Sequence, residues 1–482
     1  MDVIKAWQKI LGQENVLTDS VTLTTTQTAT FATNQQIIAV IRPGNVQEVQ
    51  NSLKIANQYQ TPIYPISCGK NWGLGSKVPV SSHSVVMDLS RLNQIIDYNE
   101  KLAYITVEPG VTFQQAYEYL CNINSNLFIS TIGGSPNSSL IGNALERGDG
   151  DGPYGNRIDF ACGLEIILPT GEIIHTGFGH FENSKTAPLS RWGVGPAFDG
   201  IFSQSNLGIV TKMTFWLTPI PQYYQSFTCR VQDHSGLKFL IDQVQQLILQ
   251  GVIPENCFCL WNSYKILAKK GRYPWKFMKD QTPLNLKELK VFEPWECSGE
   301  LYSPSEAIGL AQRTIIQESF QLPIHQLKFY HLQDNQRPFG IPTNDNVKST
   351  YWRKKTAIPE DMNPDLDSCG VLWLCPLLPF DGAEVVNAVK ITESIIKSSG
   401  FEPNIAIKCI NARSVYMYIA IMYDREVSGE DDKAKTCHDQ LLNALIEAGY
   451  LPYRLGIQSM DILPPSQDDY GLLLQKIKQS LD

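Results

Sequence analysis

Short apolar runs closed by turn residues take turns with stretches of helical spacing along the first third of the chain. Residues 37–42 (IIAVIR) form a compact strand stopped by Pro43-Gly44. Val46, Val49, Leu53 and Ala56 then share one face of a helix over 46–58. Residues 63–66 and 84–89 read as further strands, and 94–107 as a hairpin turning at Asn99-Glu100-Lys101. After Pro109-Gly110, Thr112 can cap a helix that buries Phe113, Ala116 and Leu120. Residues 126–161 break the pattern: they are rich in Gly, Ser, Asn and Asp, show little periodicity, and read as a long functional loop. A hairpin over 163–168 and 172–176, turning at Pro169-Thr170-Gly171, and a strand over 208–217 flank it.

Past Pro221 the texture changes. Helices are expected over 237–249, over 303–320 with Ser303 as cap and Glu306 three residues on, over 381–399 and over 431–448. Strands are expected over 370–376, 404–409 and 415–423. Strands and helices in this order fit an antiparallel sheet with helices on one face, so the fold class is α+β. The chain divides near 222, giving a first domain over 1–222 and a second over 223–446. The segment 447–482 returns to the first domain.

Composition narrows the function classes. The chain has 482 residues, a formal net charge of −8 and 18% charged residues, below the ~25% usual for soluble proteins. An acidic balance argues against a nucleic-acid partner. No apolar run is long enough to span a membrane. The opening MDVIKAWQKILGQENV reads as a helix and not as an export signal. Eleven cysteines at irregular spacing make no disulfide framework, and a reducing cytoplasm fits them. Cys257 and Cys259 read as buried thiols with no metal between them.

Three loops carry candidate chemistry. Ser67-Cys68-Gly69-Lys70-Asn71-Trp72-Gly73-Leu74-Gly75 follows a strand, and its glycines let backbone N–H groups approach an anion beside Lys70. A plain glycine-rich turn would look the same. The run from Gly142 through Asn156 contains Gly150-x-Gly152-x-x-Gly155, but Pro153 and the missing strand and helix exclude a dinucleotide fingerprint. The third, Phe202 to Thr211, enters a strand through Gly208.

Together the blocks PISCGKNWGLGS (65–76), VEPGVTFQQAYEYL (107–120), LIGNALERGDGDGPYGN (140–156), GLEIILPTGEIIHTG (163–177) and GPAFDGIFSQSNLGIVTKMTFWLTP (195–219) resemble the vanillyl-alcohol oxidase / p-cresol methylhydroxylase family. Ordered similarity continues to PYRLGIQSMD (452–461). The resemblance implies a p-cresol methylhydroxylase-type FAD-binding domain and a cap domain over the flavin. It implies that Ser67, Cys68, Gly69, Lys70 and Asn71 cradle the FAD pyrophosphate. Ser139, Gly142, Asn143 and Glu146 would line the ribityl and pyrophosphate channel. Tyr154, Gly155 and Asn156 would follow the cofactor, Gly163 would meet the adenine side, and Gly208, Ile209 and Val210 would bind it by main chain.

The chain also departs from the family pattern. Tyr453-Arg454 matches the family's substrate-anchoring pair, but Leu74 stands where a second anchoring tyrosine is usual. Ile405, Ile407 and Lys408 occupy the place of an acidic residue, and Tyr416-Met417 that of a His pair. Tyr416, Tyr418, Ala420 and Met422 share a strand face that either lines the site or packs on a helix. Gly370 to Trp373 and Lys70 offer no histidine or tyrosine for flavin attachment, so noncovalent FAD is expected. Arg454, Tyr453 and Tyr416 are the candidate catalytic residues. The expected function is a cytoplasmic FAD-dependent oxidase or dehydrogenase passing hydride from a small organic substrate to flavin N5, with O2 or another acceptor reoxidising it. A flavin-dependent cyclase or desaturase, or a flavin binder without turnover, is the alternative. Neither nucleic acid nor membrane is an expected partner; a homodimer is compatible with the sequence.

Overall fold

Side chains that accept from exposed backbone N–H groups start most of the helices. Asn45, Thr112, Asp233 and Asp381 each cap one, beginning Val46–Tyr59, Phe113–Asn122, His234–Leu249 and Gly382–Ser398. The computed structural model describes residues 3–275, 282–286, 294–332, 339–463 and 467–482. Three larger sheets organise them. A four-stranded sheet runs Val16–Leu17, Ile37–Ile41, Ser84–Asp88, Ile63–Ile66, parallel except for its first strand. An antiparallel five-stranded sheet runs Ile95–Asn99, Tyr104–Val107, Ile209–Trp216, Ala161–Ile167, Ile173–His175.

The third sheet is antiparallel and has eight strands. Its order is His325–His331, Tyr223–Val231, Trp295–Ser303, Phe258–Asn262, Asn404–Cys409, Ser414–Asp424, Cys369–Leu374, with Leu377–Pro379 also on Ser414–Asp424. Alternation sorts its side chains into two sets. Phe258, Leu260, Ile405, Ile407, Val415, Met417, Ile419, Leu372 and Leu374 enter one large apolar core. Residues from His234–Leu249, Gly382–Ser398 and Glu430–Glu447 complete that core from the other side. Lys408, Tyr416, Tyr418 and Trp373 alternate with these core positions and so point away from the helices.

Three expectations are corrected. The 126–161 stretch is not one loop: Leu127–Phe128 pairs with Thr218–Pro219, and Leu140–Leu145 is a short helix capped by Ser139. Both pieces are too short to show periodicity. Ser303 does not cap the next helix, because it ends the Trp295–Ser303 strand opposite Tyr223; Ser305 caps Glu306–Ser319 instead. Cys257 is buried, but Cys259 lies two residues on and only half-buried.

Candidate functional site

The Ser67–Gly75 loop leaves the Ile63–Ile66 strand and folds back on itself. Leu74 and Ser76 donate their N–H groups to Asn71 O, and Gly73 N–H to Thr30 Oγ1 at 2.9 Å. The N–H groups of Gly69, Lys70, Asn71 and Trp72 donate to no acceptor among the described residues. Four consecutive free donors suit an anion. Lys77 runs across Gly69, where a Cβ would stand 2.5 Å from its Cγ. Burial and Lys77 together lower the pKa of Lys70. Trp72 Nε1 and Ser76 Oγ donate to the buried Asp365 at 3.1 and 2.9 Å, which fixes both shoulders of the Gly73-Leu74-Gly75 turn. Cys68 is a packed thiol, with Sγ 3.9 Å from Gly110 O and its pKa pushed up to about 12 by burial.

The Leu140–Leu145 helix meets this loop: a Cβ on Gly142 would lie 3.3 Å from Ser67 Oγ. Ser139 Oγ accepts from Gly142 N–H at 2.9 Å. Asn143 Oδ1 accepts from Arg157 Nε at 2.8 Å, and Arg157, itself buried, also donates to Ser130 O. Glu146 has its carboxyl pKa raised by burial, with Arg454 opposing. Beyond it the chain closes a tight loop in which Gly150 N–H donates to Gly155 O and Gly155 N–H to Gly152 O. A Cβ on Gly155 would sit 1.8 Å from Asn256 Nδ2 and 2.0 Å from Gly150 O, so only glycine closes this loop. Tyr154 stacks on Phe160 at 4.2 Å, and Asn156 Nδ2 donates to Asp159.

The polar face of the eight-stranded sheet covers that loop. Asn256 Nδ2 donates to Gly150 O at 2.6 Å and Gly152 O at 2.9 Å. Lys408 Nζ donates to Asp151 Oδ1 at 2.7 Å and Gly150 O at 3.2 Å, and lies 3.8 Å from Asp149. Burial alone would drive Lys408 toward neutrality, but Asp151 and Asp149 hold its pKa well above the usual lysine range. Tyr418 Oη donates to Asp149 Oδ1 at 2.5 Å. Tyr416 stacks on Tyr453 with ring centroids 3.8 Å apart, and burial pushes its pKa up to about 12. The 453–457 segment closes the site: Gln204 Nε2 donates to Tyr453 O, and Ile457 N–H to Leu74 O. Tyr453 Oη and Arg454 Nε are shielded from solvent without a hydrogen-bond partner.

The structure thus brings Ser67–Asn71, Ser139–Glu146, Tyr416, Tyr453 and Arg454 into one region. Gly163 (φ +60), Ile209 and Val210 lie in the neighbouring five-stranded sheet, and Gly208 immediately precedes its Ile209–Trp216 strand. Tyr104–Val107 pairs with Ile209–Trp216 only from Met213 onward, so Gly208, Ile209 and Val210 keep one main-chain edge free of strand partners. Sequence reading gave no individual role to Asp149 and Asp151 within the 142–156 run, named Tyr418 only as sharing a face with Tyr416, and missed Asn256 and Asp365, which carry no local signal.

Comparison with known proteins agrees. Residues 37–177 match the family described as FAD binding domain. Over 99% of this chain and 94% of the relative, the sequence is 39% identical to 1'-carboxy-chondrochloren decarboxylase of Chondromyces crocatus. Over 99% and 92% it is 26% identical to the 4-cresol dehydrogenase [hydroxylating] flavoprotein subunit of Pseudomonas putida. The solved structure of p-cresol methylhydroxylase with substrate bound superposes with a TM-score of 0.90 at 25% identity, covering 100% of this chain and 94% of that one. The chain belongs to the p-cresol methylhydroxylase-type FAD-linked oxidase family. It is an FAD-dependent oxidoreductase with this family's fold, and no helix among the described residues is long and apolar enough to cross a membrane.

The residues present fit FAD. Free N–H groups at Gly69–Trp72 beside Lys70 and Lys77 suit a pyrophosphate, and the open edge at Gly208–Val210 suits main-chain hydrogen bonds.

Proposed function

We propose that this oxidoreductase takes hydride from an activated carbon of a small organic substrate whose phenolate, carboxylate or carbonyl oxygen is held by Arg454 and Tyr453. The observation that carries the reading is the pair of solvent-shielded, unpartnered atoms Tyr453 Oη and Arg454 Nε. Buried polar atoms of this kind cost free energy until a ligand satisfies them. When bound, FAD supplies the two-electron acceptor. This chain's residues orient the substrate and exclude water: Tyr416 stacks against the anchor, and Tyr418 with Asp149 offers a proton path one side chain away. We further propose residues 1–222 as the FAD domain, 223–446 as the cap and 447–482 as a return to the FAD domain. The start of the eight-stranded sheet at Tyr223 and the Ile457–Leu74 hydrogen bond support that division. The FAD is proposed to be noncovalent, O2 or another acceptor to reoxidise it, the enzyme to be cytoplasmic and the assembly a homodimer.

A second reading is favoured by the Chondromyces crocatus relative, named a decarboxylase. Hydride leaves the carbon next but one to a carboxylate, the C–CO2 bond pair becomes a C=C bond, and CO2 departs. The test is anaerobic mixing of the FAD-loaded enzyme with phenols and aryl-alkanoic acids. Flavin bleaching supports the reading, and CO2 release separates the second from the first. Arg454→Met should retain FAD while losing about ten- to hundredfold in turnover or affinity, the worth of a charge-assisted contact. An unchanged rate would refute the assignment.

A further inference from the structure

Three lysines are buried among the described residues. Lys354 pairs with Asp424 at 2.8 Å and Lys408 with Asp151 at 2.7 Å. Lys265, 7% exposed, has neither a carboxylate nor a hydrogen-bond partner for its amine among the described residues. It is the third residue of the Ser263–Lys270 helix, and its Nζ stands 5.1 Å from the centroid of the Trp373 ring. The Trp373 ring attracts the cation, but a buried charge without a carboxylate still costs stability.

We propose that Lys265 binds a carboxylate at the far end of the substrate from the group held by Arg454 and Tyr453. The proposal rests on the reading above. Trp373 lies on the polar face of the eight-stranded sheet, paired with Ala420, and its ring presses on Gly73 of the 67–75 loop, where a Cβ would stand 2.1 Å from Trp373 Cδ1. Tyr416, which stacks on Tyr453, is on the same face of the neighbouring strand, four residues before Ala420, or about 13 Å from it at the usual rise. The Lys265 amine over Trp373 and the Tyr453-Arg454 pair against Tyr416 thus mark two separate places along one sheet face. Lys269 follows one turn later, with its Nζ 4.7 Å from the Trp261 ring centroid. Burial and the charge of Lys269 bring the Lys265 pKa down to about 7, with no carboxylate among the described residues opposing them. A single amine in this setting suits a monoanion; it would take up a proton as the carboxylate binds.

Calorimetry on the FAD-loaded enzyme at pH 8, in two buffers of different protonation enthalpy, tests this with 5-(4-hydroxyphenyl)pentanoate and its methyl ester. The acid should bind the parent at least about tenfold tighter than the ester and with proton uptake. Lys265→Met should bring the two affinities together and abolish the uptake, whereas Lys265→Arg should keep the preference. An undiminished preference in Lys265→Met overturns the proposal. Should that variant lose FAD, acetic anhydride labelling of the parent decides: protection of Lys265 by the acid and not the ester supports the proposal, and equal labelling overturns it. Arg454→Met should weaken acid and ester alike; if it weakens neither, the reading of Arg454 fails while the Lys265 result stands.

Discussion

Asn256 ties the eight-stranded sheet to the loop that carries Asp149 and Asp151, and the cost of cutting that tie can be worked out. Its amide donates to Gly150 O and Gly152 O at 2.6 and 2.9 Å, and its backbone has φ +60. Neither carbonyl is orphaned when the amide goes, because Gly150 O still receives Lys408 Nζ and Gly152 O still receives Gly155 N–H. The larger penalty for an unsatisfied buried group therefore does not apply. Asn256→Gly should lose two net hydrogen bonds, about 1–3 kcal/mol, plus ~0.5–1 kcal/mol of glycine entropy. Asn256→Ala loses the same bonds and must hold a Cβ in the left-handed region, at ~1–2 kcal/mol; it should end slightly below the glycine variant. Denaturant midpoints of the FAD-loaded enzyme measure stability, and FAD dissociation rates report on the loop. The reasoning fails if Asn256→Gly matches the parent within ~0.5 kcal/mol, below the lowest hydrogen-bond estimate. It fails equally if Asn256→Ala proves the more stable of the two.

Acid precipitation should release all of the FAD into the supernatant, read by its absorbance; a yellow, washed pellet would mean a covalent bond. Asn143→Leu should lose both FAD affinity and stability, since it also strips Arg157 Nε of its acceptor. Asn143→Asp should keep the Arg157 bond and lose mainly FAD affinity, as compared by calorimetry and thermal unfolding. Burial raises the Asp365 pKa from 3.8 to about 7 despite hydrogen bonds from Ser76 and Trp72. The folded state then holds the extra proton between those values, so this group makes stability fall as pH rises from about 4 to 7, by at most ~4 kcal/mol. Asp365→Asn should flatten that decline between pH 4 and 7 in denaturant titrations, and an identical slope in both proteins would dismiss the effect.

Much of the fold was legible because its signals are local. The run over 404–409, the alternation across Tyr416 to Met422 and the cap at Thr112 each declare themselves within a dozen residues. Ser303 misled because a strand ending in serine and a helix preceded by one look alike, and only the pairing with Tyr223 separates them. The family blocks named Ser67–Asn71 and Tyr453-Arg454, and the fold brings both into one region with Glu146 and Tyr416. The site was opaque where a pair is made by tertiary folding. Lys408 meets Asp151 across 257 positions, and Asp365 meets Ser76 across 289. No spacing rule within the chain announces partners that far apart.

The two-sided sheet has a bearing on how such an enzyme changes its chemistry over generations. On Asn404–Cys409 and Ser414–Asp424, each residue that faces the site is flanked by residues that face the helices. A replacement at Lys408, Tyr416 or Tyr418 leaves Ile407, Cys409, Val415, Met417 and Ile419 in the core. Lineages can therefore exchange residues on the site face with the helix-side core untouched, provided partners such as Asp149 and Asp151 change with them. Selection on substrate and selection on foldability then act on different letters of the same strand, which lets one architecture diversify quickly.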